Sequence, residues 1–178
     1  MKKGLFVLII SCLLFSCSSP GPEEYFSQAS LNANLLYGFA GRGMQQQLAS
    51  PSEKLVDEKT LATAPMKRAE VLQTKLDAVE AAYKKIKALG NDEDAREMLN
   101  ASWTLFEFVL PVYRKEYREL ADMYDNNAGA DKISAMEISI SEKYEARFLE
   151  LYNALGAAGK AYAAKHGIKV MEVNPSPR

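Results

Sequence analysis

The stretch LNASWTLFEFVLPVYRKEYRELADMY, residues 99–124, decides how the chain folds. Its large apolar positions Leu99, Trp103, Phe106, Leu110, Tyr113, Tyr117, Leu120 and Tyr124 are spaced 4, 3, 4, 3, 4, 3 and 4 residues apart. That period keeps one side of an α-helix apolar over about seven turns, whereas a half-buried strand would alternate. Pro111 falls in mid-stripe, where it removes one backbone donor and meets the carbonyl of Glu107, so the reading is a kink and not a break. Asp125-Asn126-Asn127-Ala128-Gly129 stops the helix.

Working outward from this stripe, the same logic gives three more helices. Downstream, Asp131 reads as an N-cap for a helix that turns Ile133, Met136, Ile140, Tyr144, Phe148, Leu151, Leu155 and Tyr162 inward. Gly167 after Lys165-His166 has the form of a left-handed C-cap, with Ile168 available for the accompanying apolar contact. Residues 169–178 read as an extended or frayed tail. Upstream, Ala69, Leu72, Leu76, Val79, Tyr83 and Ile86 form a seam of period 3.5, with Glu80 and Lys84 paired on the outer side. Gly90 ends that helix, and Asn91-Asp92-Glu93-Asp94 caps the next. A first helix over 23–49 carries Leu31, Leu35, Phe39 and Leu48 at helical spacing. It also holds Gly38, Gly41 and Gly43, each costing about 1 kcal/mol against Ala. Ser50-Pro51-Ser52-Glu53 has the form of a capping box that opens a short helical turn. Short connections make neighbours antiparallel, so the expected fold is all-α, a single antiparallel up-down bundle of about four helices over 23–168 with no internal repeat.

The N-terminus is of another kind. Lys2 and Lys3 precede an apolar run from Leu5 to Phe15, interrupted by Ser11 and Cys12, a basic region followed by a hydrophobic region of secretory length. A membrane span needs roughly 20 apolar residues, so the run is too short for one. Leu14-Phe15-Ser16-Cys17 follows and resembles the lipobox of bacterial lipoproteins. The resemblance implies that 1–16 is a lipoprotein signal peptide, that Cys17 is lipidated, and that 17–22, with Ser18-Ser19-Pro20-Gly21-Pro22, tethers the bundle. It also implies an envelope location, held to the membrane through the lipid anchor. Ser18 after the cysteine favours the outer membrane, with the periplasmic or surface face open. The rest of the chain is similar in style to the small helical lipoproteins of bacterial envelopes. On that reading Cys12 leaves with the signal and Cys17 is consumed. Loss of Lys2 and Lys3 then moves the formal charge from −1 to −3.

Composition excludes several chemistries. A near-neutral balance of 22 basic and 23 acidic residues gives no electrostatic case for nucleic acid. A dimetal carboxylate bundle needs Glu-x-x-His on two helices, and the single His166 has Ala163 three residues before it. The same single His removes a His-Glu-x-x-His hydrolase, and two Cys remove a thiolate cluster. No metal, cofactor or catalytic set is therefore expected, and His166 reads as a helix-end residue. Gly38-Phe39-Ala40-Gly41-Arg42-Gly43 lacks the Lys-Ser/Thr of a phosphate loop. Its small residues and Gly156-Ala157-Ala158-Gly159 suit a close crossing of the first helix on the last, or a cleft walled by Phe39 and Arg42.

Nine tyrosines complete the picture, with Tyr83, Tyr113, Tyr117, Tyr124, Tyr144, Tyr152 and Tyr162 on or beside inward stripes. Either they close a core whose edges let the hydroxyls reach water, or they line an aromatic groove. Arg114 to Glu119 mixes signs and reads as a solvated face, as do Glu142 and Glu145. The expected function is a non-enzymatic, lipid-anchored binding or assembly module whose partner is an envelope protein. The alternative is a carrier of a small apolar ligand in a cavity lined by tyrosine. Candidate ligand-binding residues are Phe39, Arg42, Tyr113, Tyr117 and Tyr144.

Overall fold

Three long apolar stripes form the three longest helical stretches of the protein, seen here in a computed structural model that describes residues 20–50 and 52–170. The expected signal peptide 1–16, Cys17, Ser18 and Ser19 of the tether, Pro51 and the tail beyond Val170 lie outside the described residues. The chain is mostly helical, with one small sheet, in the order α1 (Pro22–Ala29), a 3-10 turn (Leu31–Leu36), α2 (Arg42–Ala49), β1 (Glu53–Asp57), β2 (Ala62–Pro65), α3 (Arg68–Ala88), α4 (Arg96–Val112), a π-turn (Tyr113–Tyr117), α5 (Arg118–Asp125) and α6 (Ala130–Lys165). The core is continuous. Leu72, Val79 and Ile86 of α3, Leu99, Phe106 and Leu110 of α4, and Phe148, Leu151 and Leu155 of α6 are all buried in it. α4 packs on α6 and α3, and α5 packs back on α3.

The helix over 99–124 continues through Pro111 without a break, and its irregularity comes one step later than the proline. Pro111 is exposed, so its missing donor lies on the wet side, and five residues of π-turn follow at Tyr113–Tyr117. A π-turn inserts about one extra residue per turn. Buried positions recur at 98/99, 102, 105/106, 109/110, 112/113, 117 and 120/121, so the core-facing side runs on through the π-turn. Tyr117 and Leu120 stay on the core side as the helix passes the proline.

The expected first helix over 23–49 is three pieces. Gly38 (φ 79°) and Ala40 (φ 54°) are left-handed, a backbone that no helix accommodates, and they turn the chain between the 3-10 turn and α2. Gly38 and Gly43 touch backbone to backbone, since a Cβ on Gly38 would lie 2.7 Å from the Gly43 Cα. The glycines therefore close a local turn, whose Gly41 faces Glu145 and whose Phe39 packs on Phe148 of α6, while the small-residue crossing on that helix is made at Gly159.

The expectation of an all-α chain is corrected at 53–65, where an antiparallel hairpin stands in place of a helical turn. Glu53 pairs with Pro65, Lys54 with Ala64 and Leu55 with Thr63. A bulge at Val56 shifts the register to Asp57 with Ala62. Local chemistry makes the turn: the Asp57 carboxylate accepts the Lys59 N–H at 2.8 Å and the Thr60 N–H at 3.2 Å. Those bonds also hold the Asp57 carboxyl below its usual range.

Caps complete the frame. The Asp125 carboxylate, at the end of α5, accepts the N–H groups of Arg68 (2.8 Å) and Ala69 (3.0 Å), so one helix end caps the start of another. Asp92 accepts the Ala95 N–H before α4. α6 starts one residue before the expected cap: Gly129 takes the N-cap position and Asp131 lies in the first turn, where its charge suits the helix dipole. At the other end Gly167 (φ 66°) donates to Ala164 and Ile168 to Ala163, the paired bonds of a Schellman cap. His166 is the C-cap residue, as the sequence suggests; its ring lies 4.3 Å from that of Tyr162, and its Nε2 is 3.9 Å from an Asp94 oxygen.

Candidate functional site

Four of the five residues read as ligand-binding do meet, and they meet as packed rings. Phe39, from the left-handed turn, is 2% exposed, with its ring 5.3 Å from Tyr113, 5.9 Å from Tyr117 and 4.9 Å from Phe148. Tyr113 and Tyr117 are 0% and 1% exposed and lie 5.4 Å apart. Edge and tilted contacts of this kind fill the interior and add stabilisation beyond simple burial. Tyr144 stands half-buried beside them through Phe108, 6.0 Å away. Arg42 is exposed at the first position of α2, apart from the rings.

The tyrosine hydroxyls find specific partners at the edges of the core. Tyr25 donates to the Leu89 carbonyl (2.8 Å), Tyr124 to Glu137 (2.8 Å), Tyr144 to Glu116 (2.6 Å) and Tyr83 to Glu107. Tyr117 instead accepts the Ala40 N–H at 2.9 Å. Burial pushes the Tyr117 phenol up, and the Ala40 bond opposes this. Tyr113 is pushed up by burial and by its neighbour Tyr117, and its hydroxyl has no hydrogen-bond partner among the described residues. Arg114, in the π-turn, reaches Glu80 on α3 with two bonds, so the partner seen for Glu80 lies on the next helix and is not the expected Lys84. Glu142 and Glu145 are exposed. Among the described residues no three His, Cys, Asp or Glu gather as metal ligands would.

The small residues of α6 serve a close crossing, as the sequence suggests, at one position. A Cβ on Gly159 would overlap the Ser30 hydroxyl and touch Phe26, whereas Gly156 has open space. Beside the crossing runs a groove of about 160 Å³ between the 3-10 turn and α6, lined by Leu31, Asn34, Tyr152, Gly156, Lys160 and Val170 among others. Two of its lining residues are apolar and wet at once, Leu31 at 47% and Val170 at 41% exposed; Leu149 of α6 and Tyr37 after the 3-10 turn, outside the lining, are 48% and 78% exposed.

The hairpin is the second exposed feature, and sequence reasoning missed it. Every residue from Ser52 to Thr63 is exposed, including Leu55, Val56 and Leu61. The signals were present in Leu55-Val56 and Ala62-Thr63 on either side of an Asp-initiated turn, but Ser50-Pro51-Ser52-Glu53 competed as a helix start. The two edges of the hairpin differ. Met66 N–H bonds the Ser52 carbonyl at 2.8 Å, so in the alternating ladder the peptide groups of Glu53 and Leu55 point away from β2. On the outer edge of β2 the matching position is Pro65, which has no N–H to offer. β1 is therefore the edge able to pair.

The hairpin and α1 lie at opposite ends of α3. Tyr25 of α1 bonds Leu89, just past the C-terminal end of α3, while the hairpin joins its N-terminal end at Arg68. The 21 residues of α3 span about 30 Å at 1.5 Å each. Among the described residues no helix is long and apolar enough to cross a membrane. Comparison with protein-family models, curated proteins and solved structures returns no match for the chain.

Proposed function

We propose that this chain is a non-enzymatic envelope protein, anchored through a lipidated Cys17, that acts as a binding or assembly module. The helical part works as a single antiparallel up-down bundle, a rigid spacer formed by α3, the α4–α5 stretch and α6. At its far end it presents the hairpin to a protein partner. One observation carries this reading: an exposed hairpin with an open β1 edge and three bare apolar side chains, roughly 30 Å from where the chain enters the bundle. Two-stranded hairpins are marginal in water alone, and open strand edges invite a further strand. A partner is an extended segment of an envelope protein that adds to β1, with main-chain bonds supplying affinity. The ring packing at Phe39, Tyr113 and Tyr117 offers no support for the small-ligand carrier.

Photo-crosslinking in cells tests the module. A photoreactive residue at Leu55 or Leu61 is expected to give a discrete adduct that a control at exposed Gln73 of α3 does not. Equal, diffuse labelling at all three positions would refute the hairpin as the docking element. Fractionation of Cys17→Ala tests the anchor, which predicts release from the membrane; unchanged retention would sink it.

A further inference from the structure

We propose that the rim of the groove between the 3-10 turn and α6 rests on the surface of the phospholipid bilayer, so that the bundle lies against the membrane on that side; this rests on the Cys17 anchor of the function proposed above. The first argument is length. From Cys17 to Gly21 there are five residues, a reach of at most about 18 Å at 3.3–3.6 Å each, while α6 alone is about 54 Å long. An anchor so short holds the α1 end of the bundle within reach of headgroups. The groove is at that end: Phe26 of α1, Ser30 just past it and the turn that follows line it, as do Gly156 and Lys160 of α6, within three turns of its C-terminus.

The second argument is composition. Leu149, Tyr152, Gly156 and Lys160 fall on one side of α6 by their spacing. Tyr37 lies close enough to Tyr152 to help raise its phenol, after burial, which is the larger cause. Leu31 and Val170 complete the rim. Exposed Leu and Val flanked by two tyrosines suit the boundary between acyl chains and headgroups, where a phenol keeps its ring in the apolar layer and its hydroxyl wet. Lys169, exposed beside Val170, has a stem long enough to follow apolar surface with its ammonium at phosphate level. Acyl chains alone hold a protein without orienting it, and this rim supplies the orientation.

The test uses the full-length lipidated protein in phosphatidylethanolamine–phosphatidylglycerol vesicles. Since Cys12 leaves with the signal and Cys17 carries the lipid, a cysteine introduced at Tyr37, Leu149 or Gln73 is the one thiol to label. Spin-labelled lipid is expected to quench a fluorophore at Tyr37→Cys and Leu149→Cys several-fold more than at Gln73→Cys, with aqueous iodide giving the reverse order. Vesicle-bound protein that shows equal quenching at all three overturns the inference and leaves the anchor standing. Shielding at Tyr37→Cys that needs protein concentration and no vesicles overturns it in favour of a second copy on this face. Protein that does not sediment with vesicles refutes the anchor, and the inference falls with it.

Discussion

The hydroxyl of Tyr117 accepts the backbone N–H of Ala40 at 2.9 Å, and this bond joins the π-turn to the left-handed turn that ends the 3-10 segment. Both residues are buried, so the N–H has no water to turn to. Tyr117→Phe removes the acceptor and keeps the ring, and is expected to cost about 1–3 kcal/mol by leaving a buried donor unsatisfied. Tyr113→Phe, one turn earlier, removes a hydroxyl with no partner among the described residues and should leave stability unchanged or raise it. Denaturant unfolding of the two variants side by side checks the contrast. Equal losses would mean the Ala40 bond contributes nothing particular.

Glycines supply a second contrast, between positions that look alike in sequence. Gly156→Ala meets open space inside α6 and should gain about 0.5–1 kcal/mol of helix propensity. Gly159→Ala must displace Ser30 and should lose that gain or more. Gly38→Ala combines a left-handed backbone with a Cβ only 2.7 Å from the Gly43 Cα, and is expected to cost about 2 kcal/mol or more. Thermal midpoints of the three variants order them, and a destabilised Gly156→Ala would contradict the packing described here.

The glycine contrast shows where sequence reasoning stops. The stripe Leu99 to Tyr124 was legible because burial on one side writes a period into the residues, and α3 and α6 were legible for the same reason. The π-turn was not, because Pro111 announces an irregularity but the core contacts of Tyr113 and Tyr117 decide where it is placed. The break at Gly38 was half legible: the glycines signalled trouble for a helix, yet Ala40 at φ 54° carries no sequence mark. The hairpin was lost because local signals for a helix cap and for a strand overlapped at Ser52-Glu53, and nothing buried arbitrated between them. Of the candidate site, the clustering of Phe39 with Tyr113 and Tyr117 was readable, while whether rings face each other or a void depends on contacts between distant segments.

Alkaline unfolding should report the buried phenols. Burial raises Tyr113 and Tyr117, and burial with the Glu137 carboxylate raises Tyr124 to about 12. Below about pH 10 these phenols are neutral in both folded and unfolded chains, and their contribution is complete. Above that pH the unfolded chain releases protons that the folded chain keeps, so stability falls as pH rises, by up to about 1.4 kcal/mol per pH unit for each fully buried phenol. For Tyr124 the loss stops growing once it ionises in the fold, at about 12. Tyrosinate absorbance of the native protein should therefore lag that of the denatured protein, and the lag should shrink in Tyr113→Phe. Coincident titrations would place these hydroxyls in water.

The hairpin is predicted to be separable from the fold. From Glu53 to Thr63 it buries nothing, and among the described residues the side-chain bond seen from it to the bundle is an exposed Lys54–Glu70 pair at 2.6 Å. Replacing 53–65 by a short Gly/Ser linker should move the thermal midpoint by less than about 3 °C. The α3 cap made by Asp125 does not depend on the hairpin and remains. Leu55→Ser with Leu61→Ser should likewise leave the midpoint alone while reducing self-association at high concentration, because exposed apolar strand edges are what drive it. Light scattering and calorimetry separate these effects. A midpoint that collapses on removal of the hairpin would show that it supports the bundle.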